Sequence, residues 1–365
     1  MDSLTQATLG AAVGHICWHE KLGRKAIIAG ALLGTLPDLD VLIYPFLDEV
    51  QRLYWHRGES HSVWFMILGA MAFGWLLRRL TVTETLSYYQ AGIGALFIFS
   101  SHVLIDLFNV YGTQLFAPVF RKGFALDNMF IIDPLFTVPL LIGTAGAYYS
   151  SKPALASKLN RTCLLLASIY VVWSFSAQTV ASFKFRQALA EQKDIVSRQF
   201  TSAGSFTTFL WRHIAETPDG FLLAYWSWFD APDKPIRFHF IPQNAAIVGQ
   251  IKNARTFQVV DWFSHGWWFV AEADGKSARV VDLRFGEIPS DTDQNAHQWA
   301  WPFAWEFYLN PKDETRLKAI RPELKDPLVS IRLLLGRILG RSEWIAASAQ
   351  YHPVHGRKDH LLGGY

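Results

Sequence analysis

Cysteine and charge are scarce in this chain of 365 residues. There are two cysteines, Cys17 and Cys163, and both lie in apolar stretches, so neither a disulfide framework nor a cysteine-based metal site is expected. Charged residues make up 18% of the sequence and the formal net charge is +3, which is too small to indicate a nucleic-acid-binding surface. No basic region precedes the first apolar run, so we predict no cleavable signal peptide.

Apolar residues make up 51% of the chain, and many of them are gathered into long blocks. Because a helix needs roughly 20 apolar residues to cross a bilayer, five of these blocks are candidate spans. Four of them are uninterrupted: Ser62–Leu80, Ala91–Val110, Phe130–Tyr149 and Thr162–Phe183. The fifth, Ala26–Leu47, is interrupted by Pro37, Asp38 and Asp40. A shorter apolar run, Leu4–Trp18, precedes them. We predict a multi-domain protein that begins with an α-helical transmembrane bundle of about five spans plus a short N-terminal helix.

The distribution of lysine and arginine predicts the orientation of this bundle. Basic residues are concentrated in alternate loops, which should face the cytoplasm: Lys21, Arg24, Lys25, Arg78, Arg79, Lys152, Lys158 and Arg161. We therefore expect a multi-pass protein of the bacterial inner membrane, with the lipid bilayer as its surroundings. The part that follows the last span is expected outside the cytoplasm.

The sequence changes character near residue 190. Short aromatic or β-branched runs alternate with turn-forming sequences, which is typical of antiparallel strands. The runs are Phe221–Phe229, Ile236–Ile241, Phe257–Phe263, Trp267–Ala271 and Ala278–Phe285. We predict a helical membrane domain over residues 1–188 and a β-rich extramembrane domain over residues 189–365. Its many tryptophans suit a hydrophobic core, with carbohydrate or lipid binding as the alternative.

A few ionisable residues interrupt the membrane half. His102 and Asp106 are four residues apart in an apolar helix, so their side chains share one face and can address one ion. Ionisable groups inside a span are costly and usually face a partner or serve a function. The alternating topology brings further residues to the same outer leaflet: Asp38, Asp40, His56 and His61. Imidazole and carboxylate ligands without thiolate indicate a divalent-metal site, with zinc as the preferred ion.

A metal site of this kind can activate water for hydrolysis. Arg57 follows His56 directly and can neutralise an anionic oxygen, such as that of a phosphoryl group. We therefore take Arg57 and Asp40 as candidate catalytic residues. The alternatives are a buried ion pair that ties helices together, a structural metal site, or ion or proton transport. Asp133, followed by a proline, is expected to cap a helix rather than bind metal.

Four motifs, MDSLTQ, LPDLD, HRGESHS and SHVLIDLFNVYGTQ, resemble those of the membrane-bound metal-dependent hydrolase family, the YdjM/YfhP-like inner-membrane proteins. That family is distantly similar to zinc-dependent phospholipase C. The resemblance covers roughly residues 1–150 and implies that four residues are metal ligands, closely followed by Asp40 and His56. The four are Asp38, His61, His102 and Asp106. Gln6 stands where many relatives have histidine, so the number and identity of the ions stay open.

Overall fold

A computed structural model of the chain describes residues 1–80, 86–192, 195–273, 276–288, 301–308, 317–320 and 327–341. The chain divides into two compact units, Met1–Phe175 and Ser176–Tyr365. The division falls inside one long helix that leaves the first unit and enters the second. The domain boundary predicted after residue 188 stays a prediction.

The first unit is helical. Its α-helices are α1 (Ser3–Leu22), α2 (Lys25–Thr35), α3 (Glu49–Trp55), α4 (Val63–Leu80), α5 (Tyr88–Asp106), α6 (Pro134–Tyr149) and the start of α7 (Pro153–Gln192). Two 3-10 helices, Pro37–Phe46 and Glu59–His61, lie between them. The expected capping role of Asp133 is confirmed, because its Oδ1 accepts the Leu135 N–H of α6 at 3.1 Å.

Within the described residues, three helices are long and apolar enough to cross a membrane: α4, α5 and α7. The number rises to four if α2 and the 3-10 helix Pro37–Phe46 form one broken span. The two segments meet at a bend of 46°, where Pro37 cannot supply the backbone N–H that would continue α2. The predicted run Phe130–Tyr149 forms the 16-residue helix α6. A helical membrane region is thus confirmed, whereas the count of five spans is not.

Helices α1 and α2 pack with their backbones almost in contact. A Cβ atom added to Gly10 would lie 2.4 Å from the carbonyl oxygen of Gly30, and one added to Gly34 would lie 2.7 Å from the carbonyl oxygen of Gln6. Gly14 faces Gly30 in the same way. Small residues four apart on both helices permit this approach, as is common inside membranes. The packing fixes the end of α2, next to which the candidate site lies.

The second unit contains two antiparallel four-stranded sheets, which confirms the predicted β-rich region. The first sheet has the order β1 (Arg198–Gly204), β2 (Thr207–Thr217), β3 (Gly220–Ser227) and β4 (Phe238–Pro242). The second has the order β5 (Trp268–Ala273), β6 (Ser277–Asp282), β7 (Ala304–Tyr308) and β8 (Leu317–Ile320). Three α-helices and one 3-10 helix complete the described part: α8 (Ala245–Ile251), α9 (Arg255–Ser264), the 3-10 helix Leu283–Phe285 and α10 (Pro327–Ile338).

One predicted strand is wrong. Phe257–Phe263 lies within helix α9, which ends at His265 in the left-handed conformation. The buried residues Phe257, Val260 and Phe263 are three apart, so they form one helical face and not the alternating pattern of a strand. The strand was predicted from the many aromatic and β-branched residues in this run, and the helical spacing of its apolar residues was given too little weight.

The core of the second unit is largely aromatic and aliphatic. Alternate residues of β3, namely Phe221, Leu223 and Tyr225, contribute to it together with Trp267 and Trp301. These two tryptophans therefore serve as core residues. Trp226, on the opposite face of β3, is not in this cluster.

Candidate metal centre

Four side chains from three segments of the first unit converge on one point. Asp38 comes from the 3-10 helix after α2, His61 from the short 3-10 helix before α4, and His102 and Asp106 from one face of α5. One ligand atom from each of these residues lies within 4.8 Å of the other three. His61, His102 and Asp106 are buried, and the side chain of Asp38 is 18% exposed. This group can hold a metal ion.

Five of the six distances between the ligand atoms are close to those expected around a tetrahedral ion. His61 Nε2 lies 3.3 Å from Asp38 Oδ1, 3.2 Å from Asp106 Oδ2 and 3.2 Å from His102 Nε2. His102 Nε2 lies 3.6 Å from Asp38 Oδ1 and 3.5 Å from Asp106 Oδ2. Zinc–nitrogen and zinc–oxygen bonds of about 2.0–2.2 Å place tetrahedral ligand atoms about 3.3–3.6 Å apart. The measured distances therefore leave room for one such ion.

The donor atoms of the imidazole rings also point to a cation. His102 Nδ1 lies 2.6 Å from the carbonyl oxygen of Gly34 and must donate a hydrogen there, since a carbonyl only accepts. In neutral His102 this leaves the lone pair of Nε2 directed at His61 Nε2, 3.2 Å away. Among the described residues, no hydrogen-bond donor is aligned with the buried Asp106 Oδ2. A metal ion would accept the lone pair of His102 Nε2 and also bind Asp106 Oδ2, so these ligand atoms suit a metal ion.

The other oxygen of Asp106 is held by several donors. Arg57 Nη2 lies 3.1 Å from Asp106 Oδ1, Gln6 Nε2 donates to it at 3.0 Å, and the amino group of Met1 contacts it. Gln6 therefore binds the carboxylate of a candidate ligand through its amide nitrogen. Such contacts orient a metal-binding carboxylate and leave its second oxygen for the ion.

His56 and Asp40 form a pair of their own beside this group. His56 Nδ1 lies 3.1 and 3.2 Å from the two oxygens of Asp40, and the backbone N–H of Arg57 donates to Asp40 Oδ2 at 2.9 Å. The His56 ring lies edge to face with the His61 ring, with 6.4 Å between centroids. The structure thus places His56, predicted as a ligand, next to the four-residue group and not within it.

Arg57 lies on the buried side of Asp106. Its side chain is 3% exposed, and besides Asp106 it donates through Nη1 to Asn109 Oδ1 at 3.0 Å. The guanidinium also lies 4.8 Å from the centre of the Tyr111 ring. A buried guanidinium with these contacts holds Asp106 in place, and a catalytic role for Arg57 stays a prediction.

Sequence reasoning did not identify three contributors to this arrangement. Gly34 supplies a carbonyl group, and Asn109 and Tyr111 surround the Arg57 guanidinium. The motif SHVLIDLFNVYGTQ contains both Asn109 and Tyr111, so their proximity to Asp106 was a usable signal. The role of Gly34 depends on the packing of α1 against α2 and has no local signature.

Comparison with known proteins identifies the first region. Residues 1–181 match the model of the family described as YdjM inner membrane protein. This match covers just under half of the chain, and it shows that the N-terminal region is similar to that family. The chain is also similar to YfhP of Bacillus subtilis (strain 168), an uncharacterized protein, at 26% identity over 172 residues. No solved structure matches the chain.

The match to YfhP covers 42% of this chain and 49% of that protein, so the chain spans about half the length of this curated relative. The match to the YdjM inner membrane protein family confirms the predicted resemblance and supports a membrane protein of this kind. The family description states no reaction. The orientation of the C-terminal region stays a prediction.

Proposed function

We propose that this protein is a membrane-bound metal-dependent hydrolase that acts on a phosphoester or a similar lipid-derived bond. The observation that carries the proposal is the group formed by Asp38, His61, His102 and Asp106, with the His56–Asp40 pair beside its more exposed edge. A bound divalent ion, with zinc preferred, would supply Lewis acidity that makes water a better nucleophile near neutral pH.

The residues around the group support a division of roles. Asp38 and His56 have side chains 18% and 17% exposed, so a substrate can approach from their side. Asp40 accepts from His56 Nδ1 and leaves His56 Nε2 able to take or give a proton. Arg57 orients Asp106 from the buried side. In this proposal His56 transfers the proton, Asp40 orients His56, and Arg57 positions the ligand Asp106.

The surroundings of the group favour a lipid-derived substrate. Apolar side chains are exposed on segments next to the site: Leu42 is 65%, Phe46 86% and Val119 81% exposed. Leu42 and Phe46 lie on the same 3-10 helix as Asp38. The segment that carries Val119 is hydrogen-bonded to the site through Gln114 N–H and the carbonyl oxygen of Arg57, at 3.0 Å. An apolar rim around a polar group suits an amphiphile whose headgroup reaches the metal.

One observation favours a second candidate function, a non-catalytic metal site that stabilises the bundle. Structural zinc sites are usually closed by four protein ligands, whereas catalytic sites keep one position for water or substrate. The described group offers four ligands. Asp38 is the most exposed of the four residues. In the catalytic case, we therefore expect water or substrate to replace Asp38 at the ion or to bind the ion beside it.

The two functions are separated by measuring metal content, stability and turnover on the same purified full-length protein. We expect hydrolysis of bis(p-nitrophenyl) phosphate or of phospholipid in mixed vesicles, lost on chelation and regained with added zinc. His61→Ala should lose both metal and activity, while His56→Gln should keep the metal and lose most of the activity. Equal metal content in the wild type and His61→Ala would show that the ligand assignment is wrong. Full metal binding without turnover, with a lower melting temperature after chelation, would favour the structural function.

A further inference from the structure

A cleft of about 440 Å³ lies in the second unit and shares no residue with the metal-ligand group of the first. The end of helix α7 contributes Lys184, Gln187 and Glu191 to its lining, and the end of β3 and the following loop contribute Trp226, Trp228 and Lys234. Its volume is in the range of sites that bind small molecules. The proposed hydrolytic function makes no use of this cleft.

Two indole rings form the apolar part of the cleft. The Trp226 and Trp228 rings have centroids 5.3 Å apart and are inclined by 56°, so they form an angled wall. Lys184 Nζ lies 5.2 Å from the centre of the Trp226 ring. Trp226 is buried and points to the face of β3 opposite Tyr225, because successive residues of a strand alternate between the two faces. Trp228 follows the end of the strand and is partly exposed, so its ring is accessible from the cleft.

The polar part of the cleft is held rigidly. Asp230, which also lines it, accepts from Arg337 Nη1 at 2.8 Å and from Arg337 Nη2 at 2.9 Å. Lys234 Nζ donates to the same carboxylate at 2.9 Å, and the Ser227 N–H donates at 2.8 Å. These contacts fix the loop after β3, so the cleft is formed before a ligand arrives and less ordering is needed on binding.

The charges of the described lining residues balance, and the Arg337 guanidinium, which binds Asp230 from outside the lining, adds one positive charge. Lys184 and Lys234 carry positive charge, and Glu191 and Asp230 carry negative charge. A nucleotide or another polyanion would need an excess of basic residues, which this lining does not offer. A neutral ligand with several hydroxyl groups suits it better, because its ring can stack on an indole while its hydroxyls bond to the amide of Gln187 and to the charged groups.

We propose that this cleft is a saccharide-binding site, with Trp228 as the stacking surface and Gln187 as a hydrogen-bonding residue. Trp228 is chosen because it is partly exposed, whereas Trp226 is 8% exposed and carries Lys184 above its ring. The site binds a sugar independently of the metal group. Its ligand is a neutral mono- or disaccharide unit, free or as part of a glycan.

The test is a titration of the full-length protein with maltose and with N,N′-diacetylchitobiose. The protein is held in phospholipid nanodiscs, because the maltoside headgroups of common detergents would compete for the cleft. Binding is followed by calorimetry and by saturation-transfer NMR. We expect saturable binding of at least one of these saccharides, weakened about tenfold in Trp228→Ala and retained in part in Trp228→Phe, whose ring still stacks.

Phe229→Ala is the matched control, since Phe229 is an exposed neighbouring aromatic residue outside the lining of the cleft. Its affinity should stay within about twofold of the wild-type value. If Trp228→Ala does not fold, Gln187→Ala on the exposed surface of α7 replaces it and should also weaken binding. The proposal is overturned if neither saccharide binds saturably or if the cleft variants bind as the wild type does. Saturable binding of glycerophosphocholine with no saccharide binding would also overturn it and indicate a lipid headgroup site.

Discussion

Gly34→Ala tests the connection between helix packing and the metal-ligand group. The added Cβ would lie 2.7 Å from the Gln6 carbonyl oxygen and 2.8 Å from Gly10 Cα. Ordinary contact requires about 3.5 Å, so α1 and α2 must separate by roughly 0.8 Å. The Gly34 carbonyl, 2.6 Å from His102 Nδ1, would move with α2. Loss of such an orienting contact typically lowers metal affinity about 10- to 100-fold.

The assay for this prediction is competition for zinc between the purified protein and a fluorescent chelator, together with thermal unfolding. The strain of overpacking should also cost about 1–3 kcal/mol of unfolding free energy. Gly92→Ala is the control, because a Cβ at Gly92 meets only the Ala70 carbonyl oxygen, at 3.8 Å. Gly92→Ala should leave both the zinc affinity and the free energy of unfolding nearly unchanged. If folded Gly34→Ala binds zinc as tightly as the wild type, the proposed role of the Gly34 carbonyl is wrong.

Further predictions concern the two units separately. Arg57→Leu removes the buried cation beside Asp106 and should lower both zinc content and melting temperature, whereas a substrate anchor would change only the Michaelis constant. In the second unit, burial and then the nearby Arg186 lower the pKa of His213 to about 3. Between pH 6.5 and 3, His213 is protonated in the unfolded chain, where its pKa is near 6.5, but stays neutral in the folded protein. The free energy of unfolding should therefore decrease as the pH falls through this range, by about 2 kcal/mol at pH 5. Denaturant titrations should show that the free energy of unfolding depends less on pH in His213→Gln than in the wild type. An unchanged pH dependence would contradict this account. Asp133→Ala should lower stability by about 1 kcal/mol through loss of the α6 cap, as thermal unfolding would show.

Much of the membrane region could be predicted because apolar run length and residue type are local properties. The helical spacing of His102 and Asp106 placed both on one face of α5, and the structure brings them together with His61 and Asp38. The break between α2 and the 3-10 helix Pro37–Phe46 was visible in Pro37, which interrupts an apolar run. The count of five spans exceeds what the described helices support, because α6 is shorter than the apolar run that predicted it.

The prediction of a strand at Phe257–Phe263 shows where local reasoning was insufficient. Aromatic and β-branched residues are frequent in strands, but a spacing of three and four residues buries one face only in a helix. The positions of Phe257, Val260 and Phe263 already contained this signal. Weighting the spacing above the composition would have given the correct element.

The sequence alone determined the membrane character of the first region, the β-rich character of the second, and the imidazole and carboxylate chemistry of the ligand group. These features follow from composition and from spacing along a single helix or strand. The tertiary structure decided that His56 pairs with Asp40, that Arg57 holds Asp106, and that the Gly34 carbonyl orients His102. Such partners are 16 to 68 residues apart in the chain. Their contacts depend on how closely whole helices approach, which no local pattern specifies.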